Sequence, residues 1–375
     1  MKHQKNNLKV AIAMSGGVDS AVAAALLKKH GYDCIGIFMK FWNDPSAETQ
    51  GALNRCCSAD AFNDARRVAQ KLNIPIYALN MKQNFKKNVV DYFLSEYQKG
   101  NTPNPCVQCN KFIKFNDFLK KAKTLGCDFI ATGHYAKIKN KKLLHVTCYM
   151  LHAAMDKSKD QTYFLYTLTQ NQLKHILFPV GDYTKKQVRL LAKKFDLPVY
   201  NKPESQEVCF IHDKTPDNFL KKYLKLKPGP IITDQGKRVG EHSGLSLYTL
   251  GQRRGLNIGG TGPYYVIAKD KKTNALIVSN NKNHPALLTD KFEINKLNWI
   301  SGKQKLPLTC QVRIRHQAPL ENCEIIQQKN KAIVKLAKPL RAVTPGQSAV
   351  FYHHGTVLGG GIINQPKTRR KYHTT

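Results

Sequence analysis

The sequence predicts an α/β protein in three parts: a parallel-sheet domain over residues 1–213, a small connecting domain over 214–288 and a C-terminal β-barrel over 289–375. Three observations carry this. Between Leu8 and Gly133 short apolar runs alternate with amphipathic helical stretches, the pattern of strands buried on both faces with crossover helices between them. After Lys214 the texture changes to short strands punctuated by glycine and proline. From about Lys291 strands recur, and Cys310 to Ile314 alternates cleanly. The 375 residues, 42% of them hydrophobic, suffice for more than one core.

In chain order, Leu8 to Met14 reads as a buried strand, Ser20 to Lys29 as a helix and Cys34 to Met39 as a strand. Ser58 to Leu72 is helical, Ile74 to Leu79 and Asp128 to Thr132 are strands, and Phe85 to Tyr97, Phe115 to Leu125 and Thr184 to Phe195 are helices. The connecting domain is marked by Lys227-Pro228-Gly229-Pro230, Asp234-Gln235-Gly236-Lys237 and the glycines between Gly251 and Gly262. In the barrel, Cys310, Val312 and Ile314 face a core while Gln311, Arg313 and Arg315 share the opposite face. The basic tail Lys367 to Thr375 is expected to fray.

Lys and Arg number 60 against 25 Asp and Glu, a formal charge of +35. That balance argues against an enzyme of small neutral metabolites and for a polyanion such as RNA or DNA, although a lysine-rich proteome has the same effect. No apolar run approaches the roughly 18 residues of a membrane-spanning helix, and Met1 to Lys5 leads straight into a strand. The expectation is a soluble, cytosolic protein without a membrane partner. Ten irregularly spaced cysteines fit a reducing compartment that leaves them as thiols.

Ser15-Gly16-Gly17-Val18-Asp19-Ser20 stands after the first strand and at the start of the first helix, where an α/β sheet binds phosphate. The glycines allow close backbone approach, the amides and the Ser15 and Ser20 hydroxyls can donate to pyrophosphate, and Asp19 can hold Mg²⁺ or fix the loop. No Gly-Lys-Ser/Thr ending follows, so this is not a Walker loop.

This SGGxDS loop resembles that of the PP-loop ATP pyrophosphatases, whose domain has the adenine nucleotide alpha hydrolase-like fold and which adenylate a substrate oxygen and release pyrophosphate. The segments Thr102 to Lys111 (TPNPCVQCNK), Ala131 to Tyr135 (ATGHY), Lys159 to Leu165 (KDQTYFL), Val208 to Ile211 (VCFI), Thr249 to Leu256 (TLGQRRGL) and Thr344 to Tyr352 (TPGQSAVFY) occur in the order seen in the bacterial tRNA-specific 2-thiouridylases. The resemblance covers nearly the whole chain. It implies ATP-dependent 2-thiolation of the wobble uridine of Lys, Glu and Gln tRNAs, recognised at the anticodon stem-loop, with sulfur supplied by a relay protein or a cysteine desulfurase.

By resemblance, Ala13, Met14, Ser15, Gly16, Gly17, Val18, Asp19, Ser20, Met39 and Gly133 form the site for ATP with Mg²⁺. Cys109 is the nucleophile and Cys209 the persulfide carrier, a pairing that suits sulfur insertion because thiolate exchange leaves a disulfide behind. Asn104, Pro105 and Cys106 face the target base, and His134, Lys159, Asp160, Gln161, Arg315, His316 and Gln347 contact tRNA. Taken alone, Lys159 to Gln161 reads as a solvated turn and the arginine row as a solvated strand face. Cys109 sits on this reading in a Pro-Asn-Pro loop, where Lys111 and Lys114 favour its thiolate.

The chain departs from the family pattern at Cys106, where an Asp is usual, at Phe112, where Glu is common, and at His316, where Tyr is usual. Cys106 and Cys109 make one CxxC with no second, which argues against zinc. An iron–sulfur cluster on Cys106, Cys109 and Cys209 remains an alternative. Cys34, Cys127, Cys148, Cys310 and Cys323 read as small buried hydrophobes and Cys56-Cys57 as a loop feature. The rival functions are a PP-loop ligase or amidotransferase and a tRNA-binding protein without catalysis.

Overall fold

A computed structural model describes residues 8–45, 58–143, 146–204, 208–211, 215–259, 262–302, 304–328 and 331–364. Cys56-Cys57 and the tail Lys367 to Thr375 lie outside the described residues. The strands of the first region are β1 (Lys9–Ala13), β2 (Asp33–Lys40), β3 (Ile76–Asn80), β4 (Phe129–Ala131), a hairpin of β5 (Lys137–Leu143) and β6 (Val146–His152), and β7 (Ile176–Leu177). Five of them form a parallel sheet in the order β3-β2-β1-β4-β7. The chain therefore moves outward from β1 in one direction and returns on its other side through β4. The crevice at the carboxyl ends of β1 and β4 is a topological switch point, where open α/β sheets bind ligands.

Val10, Ala11 and Ile12 are fully buried, as a strand covered on both faces requires. The helix Val18–Lys29 buries every residue from Ala21 to Leu27, and small side chains dominate that run. The helix Ala59–Lys71 is capped by Ser58, whose hydroxyl accepts from the Ala61 amide at 3.1 Å, and it buries Ala61, Ala65, Val68 and Ala69 on one face.

Two helices differ from the sequence expectation. The stretch read as Phe85 to Tyr97 begins at Lys82 and runs to Gln98 with a π-helical turn at Lys86–Val90. The one read as Phe115 to Leu125 begins well before that, at Pro105, and passes through a π-helical segment at Cys109–Asp117 before ending at Thr124. Cys109 is therefore on a helix and not in a loop. Asn104 is the cause: its side-chain oxygen accepts from the Cys106 and Val107 amides at 3.1 and 3.4 Å, and Pro105 takes the first helical position, which lacks an amide partner anyway.

The connecting region forms a four-stranded sheet, β10-β11-β8-β9, from β8 (Gly229–Thr233), β9 (Arg238–His242), β10 (Tyr265–Asp270) and β11 (Ala275–Ser279). The last region contributes β12 (Leu288–Trp299), β13 (Leu308–Arg313), β14 (Glu321–Gln328), β15 (Lys331–Arg341), β16 (Ser348–His353) and β17 (Thr356–Ile363). They pair as β12-β15-β14-β13-β16-β17, and β12 pairs with β17 to close a six-stranded barrel. Cys310 and Val312 point into its core, and Cys310 faces Cys323 across the strands with sulfurs 3.7 Å apart. β6 adds to β17 through Thr356 opposite His152, so a hairpin from the first region extends the barrel's sheet. Among the described residues no helix is long and apolar enough to cross a membrane.

Candidate active site

The loop after β1 is shaped by glycine and tied down by hydroxyls. Gly16 has φ +70°, and a Cβ there would lie 2.2 Å from the Ala61 carbonyl oxygen, so only glycine fits between the loop and the helix behind it. The Ser20 hydroxyl donates to the Gly17 carbonyl at 3.0 Å and accepts from the Ser15 amide at 3.3 Å, with the Ser15 hydroxyl 3.4 Å away. Lys202 donates to the Gly16 carbonyl at 3.0 Å and pairs with Asp64, which ties that carbonyl back.

Asp19 lies in the first turn of the following helix, where an anion is favoured. Its carboxylate accepts from the Tyr135 hydroxyl at 2.8 Å and from the Lys185 ammonium at 2.7 and 2.9 Å. Burial, and then the Asp19 charge, raise the Tyr135 pKa, which keeps that hydroxyl a donor. Gly133 closes the other wall: a Cβ there would stand 2.7 Å from both the Asp19 carbonyl carbon and the Ser20 nitrogen.

His134 is buried, bonds Thr132 Oγ1 through Nδ1 at 2.7 Å and packs between Phe115 and Phe178 at 5.6 and 6.0 Å. Burial, and then Lys114, hold its pKa well below the ordinary value, so it is neutral at physiological pH. Because the unfolded chain binds a proton near pH 6.5 that folded His134 refuses, it lowers stability as pH falls below about 6.5, by at most ~1.4 kcal/mol per pH unit. Urea unfolding at pH 7.5 and 5.5 is expected to show a smaller acid loss in His134→Phe than in wild type; equal losses would refute this.

A cavity of about 340 Å³ opens between these elements. It is lined by Ala13, Met14, Ser15, Asp19, Ser20, Met39 and Gly133 and also by Cys106, Cys109 and Cys209, with Phe41, Phe85, Phe164 and Phe210 as apolar lining. Pro105, His134 and Gln161 also line it. Cys109 is buried, Cys209 half-buried and Cys106 exposed. The π-helical segment puts Cys109, Asn110 and Lys114 on the cavity together. Asn110 donates to the Phe164 carbonyl at 3.2 Å and leaves Oδ1 without a partner among the described residues. No group of three His, Cys, Asp or Glu side chains among the described residues is placed to hold a metal ion.

The remaining residues sit where the barrel meets the first domain, and their polar atoms are engaged within the protein. Asp160 is buried; it accepts from the Ala154 amide at 3.1 Å and the Thr162 hydroxyl at 2.8 Å and pairs with Arg313 at 3.4 Å, so this turn is not solvated there. Lys159 pairs with Glu204 at 2.7 Å, and Gln161 accepts from the Tyr135 amide at 2.9 Å. Arg315 donates to Thr344 Oγ1 at 3.2 Å. His316 bonds the Asp160 carbonyl at 3.2 Å and lies 4.4 Å from the Phe164 ring. Gln347 donates to the Thr102 carbonyl at 2.9 Å. The arginine row is thus partly an interdomain seam rather than an open strand face. Sequence reasoning missed Lys185, Tyr135 and Lys202, whose partners lie 166, 116 and 186 residues away; nothing local in the sequence signals them.

A parallel sheet with a glycine-shaped strand–helix loop at its switch point, and a cavity there lined by that loop, is the architecture of a nucleotide-binding enzyme domain. Residues 8–213 match the family described as tRNA methyl transferase HUP domain, 217–280 its PRC-barrel domain and 289–363 the aminomethyltransferase beta-barrel domain. Similar proteins include the tRNA-specific 2-thiouridylases MnmA of Protochlamydia amoebophila, 45% identical over 98% of this chain and 95% of that protein, and of Clostridioides difficile, 45% identical over 96% and 99%. That of Symbiobacterium thermophilum is 44% identical over 95% of this chain and 92% of its own. The chain belongs to the tRNA-specific 2-thiouridylase family.

Proposed function

We propose that this chain uses ATP to replace the C2 oxygen of the wobble uridine of Lys, Glu and Gln tRNAs with sulfur carried on Cys209. As a member of its family it is a tRNA-modifying sulfurtransferase. The observation that carries the finer reading is the shared cavity, lined at once by the loop Ser15–Ser20 and by Cys109 and Cys209.

The loop amides and hydroxyls hold the phosphates of MgATP, with Ala13, Met14, Val18, Met39 and Gly133 bordering the nucleotide. Asn104, Pro105 and Cys106 meet the uridine, flipped out of the anticodon stack. Its C2 oxygen attacks the α-phosphorus, the bond to the β-phosphate oxygen breaks, pyrophosphate departs and the N3 proton goes to solvent. A poor leaving oxygen has become part of AMP. The Cys109 thiolate attacks Cys209 Sγ of the persulfide, releasing hydrosulfide that adds to C2 and expels AMP. Alternatively, the terminal sulfur attacks C2 first and Cys109 then cleaves the S–S bond. Either route regains the N3 proton and leaves a Cys109–Cys209 disulfide for a thiol reductant.

Mg²⁺ enters with ATP as substrate, since Asp19 is already paired with Lys185 and Tyr135. Among the described residues Cys106, Cys109 and Cys209 are not grouped as three ligands of one metal, so the reading uses them as thiols. Lys159, Asp160, Gln161, Arg315, His316 and Gln347 fix the seam on which the anticodon stem-loop rests, so their role in tRNA binding is largely to hold its shape, while neutral His134 is held inside the first domain at the cavity. A sulfur-relay protein or desulfurase loads Cys209, and the setting is cytosolic, where thiols stay reduced.

The test is incubation with tRNA, MgATP and a persulfide donor, followed by nucleoside mass spectrometry. The expected result is 2-thiouridine with stoichiometric pyrophosphate, dependent on ATP. Pyrophosphate release without tRNA dependence, and no thiolated nucleoside, would favour a PP-loop ligase instead.

A further inference from the structure

Cytosine carries the same C2 carbonyl as uracil, so a site that works on uridine must tell the two apart elsewhere on the ring. They differ at N3, which is a hydrogen-bond donor in uracil and an acceptor in cytosine. Enzymes that do chemistry on a flipped base read it through hydrogen bonds to that edge.

Asn110 supplies an acceptor that the fold leaves unmet. It is 3% exposed, follows Cys109 directly in the π-helical segment Cys109–Asp117 and lines the same cavity. Its Nδ2 donates to the Phe164 carbonyl at 3.2 Å, while its Oδ1 is shielded from solvent and has no partner among the described residues. A buried acceptor left in that state costs about 1–3 kcal/mol, and a donor that arrives with the substrate would relieve it. The amide is also fixed in sense. Turning it over would set Oδ1 against the Phe164 carbonyl oxygen and lose the Nδ2 bond, so the unmet group stays an acceptor. Phe164 is held in its turn: its amide donates to the Gln161 carbonyl at 3.0 Å, and its ring lies 4.4 Å from the His316 ring of the barrel.

We propose that Asn110 selects uridine: Oδ1 accepts the N3 hydrogen of the flipped base and refuses cytosine, whose N3 would bring a lone pair against it. The proposal rests on the reading of the site given above. Because N3 is bonded to C2, the contact also brings the reacting carbon to the helical segment that carries Cys109. As the C2 oxygen bonds to phosphorus the ring gains positive charge, and N3–H becomes a stronger donor until its proton leaves.

The test compares tRNA-dependent pyrophosphate release on two transcripts that differ only at the wobble position, uridine in one and cytidine in the other. Wild-type protein is expected to favour uridine by more than about 100-fold in kcat/KM, as a site built around a hydrogen bond does. Asn110→Leu keeps the volume and removes the acceptor; it is expected to lose about 10- to 100-fold on uridine and nothing on cytidine, so the ratio falls at least about tenfold. Asn110→Ser is a smaller replacement, and it carries the test alone should Asn110→Leu misfold. Its hydroxyl turns to accept from uracil or donate to cytosine, so it is expected to narrow the ratio by raising release on cytidine. Equal losses on both transcripts would mean that Asn110 only supports the cavity wall, and they overturn the proposal, as does a ratio that neither variant moves. Wild-type protein that releases no pyrophosphate with the uridine transcript, or releases it without tRNA, overturns the reading of the site and this proposal with it. Wild-type release from both transcripts with equal efficiency overturns this proposal alone.

Discussion

Cys109→Ser is expected to stop persulfide-dependent 2-thiouridine formation, by more than about 1000-fold, while leaving tRNA-dependent pyrophosphate release in place. On the proposed mechanism the two half-reactions separate because different residues lining one cavity would serve them: the loop at Ser15–Ser20 for activation of the base, and Cys109 only for the handover of sulfur. Serine keeps the volume of a side chain that is 7% exposed, so the fold is preserved. It cannot form a disulfide, so the sulfane sulfur is expected to stay on Cys209, where intact-protein mass spectrometry detects it. Cys209→Ser is expected to lose the same product for a different reason, failing to load sulfur at all. Thiolation at the wild-type rate in either variant would remove the role assigned to that residue.

What the sequence disclosed and what it hid divide along chain distance. The strand, loop and helix from Leu8 to Lys29 are legible because hydrophobic run, glycine pair and helix start are neighbours, and the fold adds only the reason Gly16 is obligatory, the Ala61 carbonyl of another helix. The alternation from Cys310 to Val312 correctly gives the buried face. It could not show that Arg313 on the other face turns to buried Asp160, a partner 153 residues earlier. The hairpin Lys137 to His152 is unread for a related reason: its lysines dilute any apolar pattern, and its burial comes from pairing with Thr356 and Val357 of the barrel. Two separate motifs hold Cys109 and Cys209, which line one cavity, while the helical setting of Cys109 was obscured by two prolines that look like a loop and in fact flank the capping Asn104.

Gly133→Ala is expected to cost about 1–3 kcal/mol of stability and more than about 100-fold in ATP-dependent turnover, although it adds a single methyl group. That methyl would enter the backbone of Asp19 and Ser20 at 2.7 Å. Neither wall can give way cheaply: β4 pairs with β1 through Val10, Ala11 and Ile12, and the helix starting at Val18 is buried along most of its length. The strain must therefore move the phosphate loop and with it the carboxylate that pairs with Lys185. Gly17→Ala is the matched control, since its backbone is extended at φ −101° and a Cβ there meets only the Ser15 hydroxyl at 3.6 Å, an ordinary contact. It is expected to change stability by less than about 1 kcal/mol. Equal effects of the two substitutions on unfolding in urea and on pyrophosphate release would mean that close approach of the end of β4 to the start of the helix Val18–Lys29 is not what shapes the loop; a large loss at Gly133 alone ties the geometry of the loop to the strand beside it.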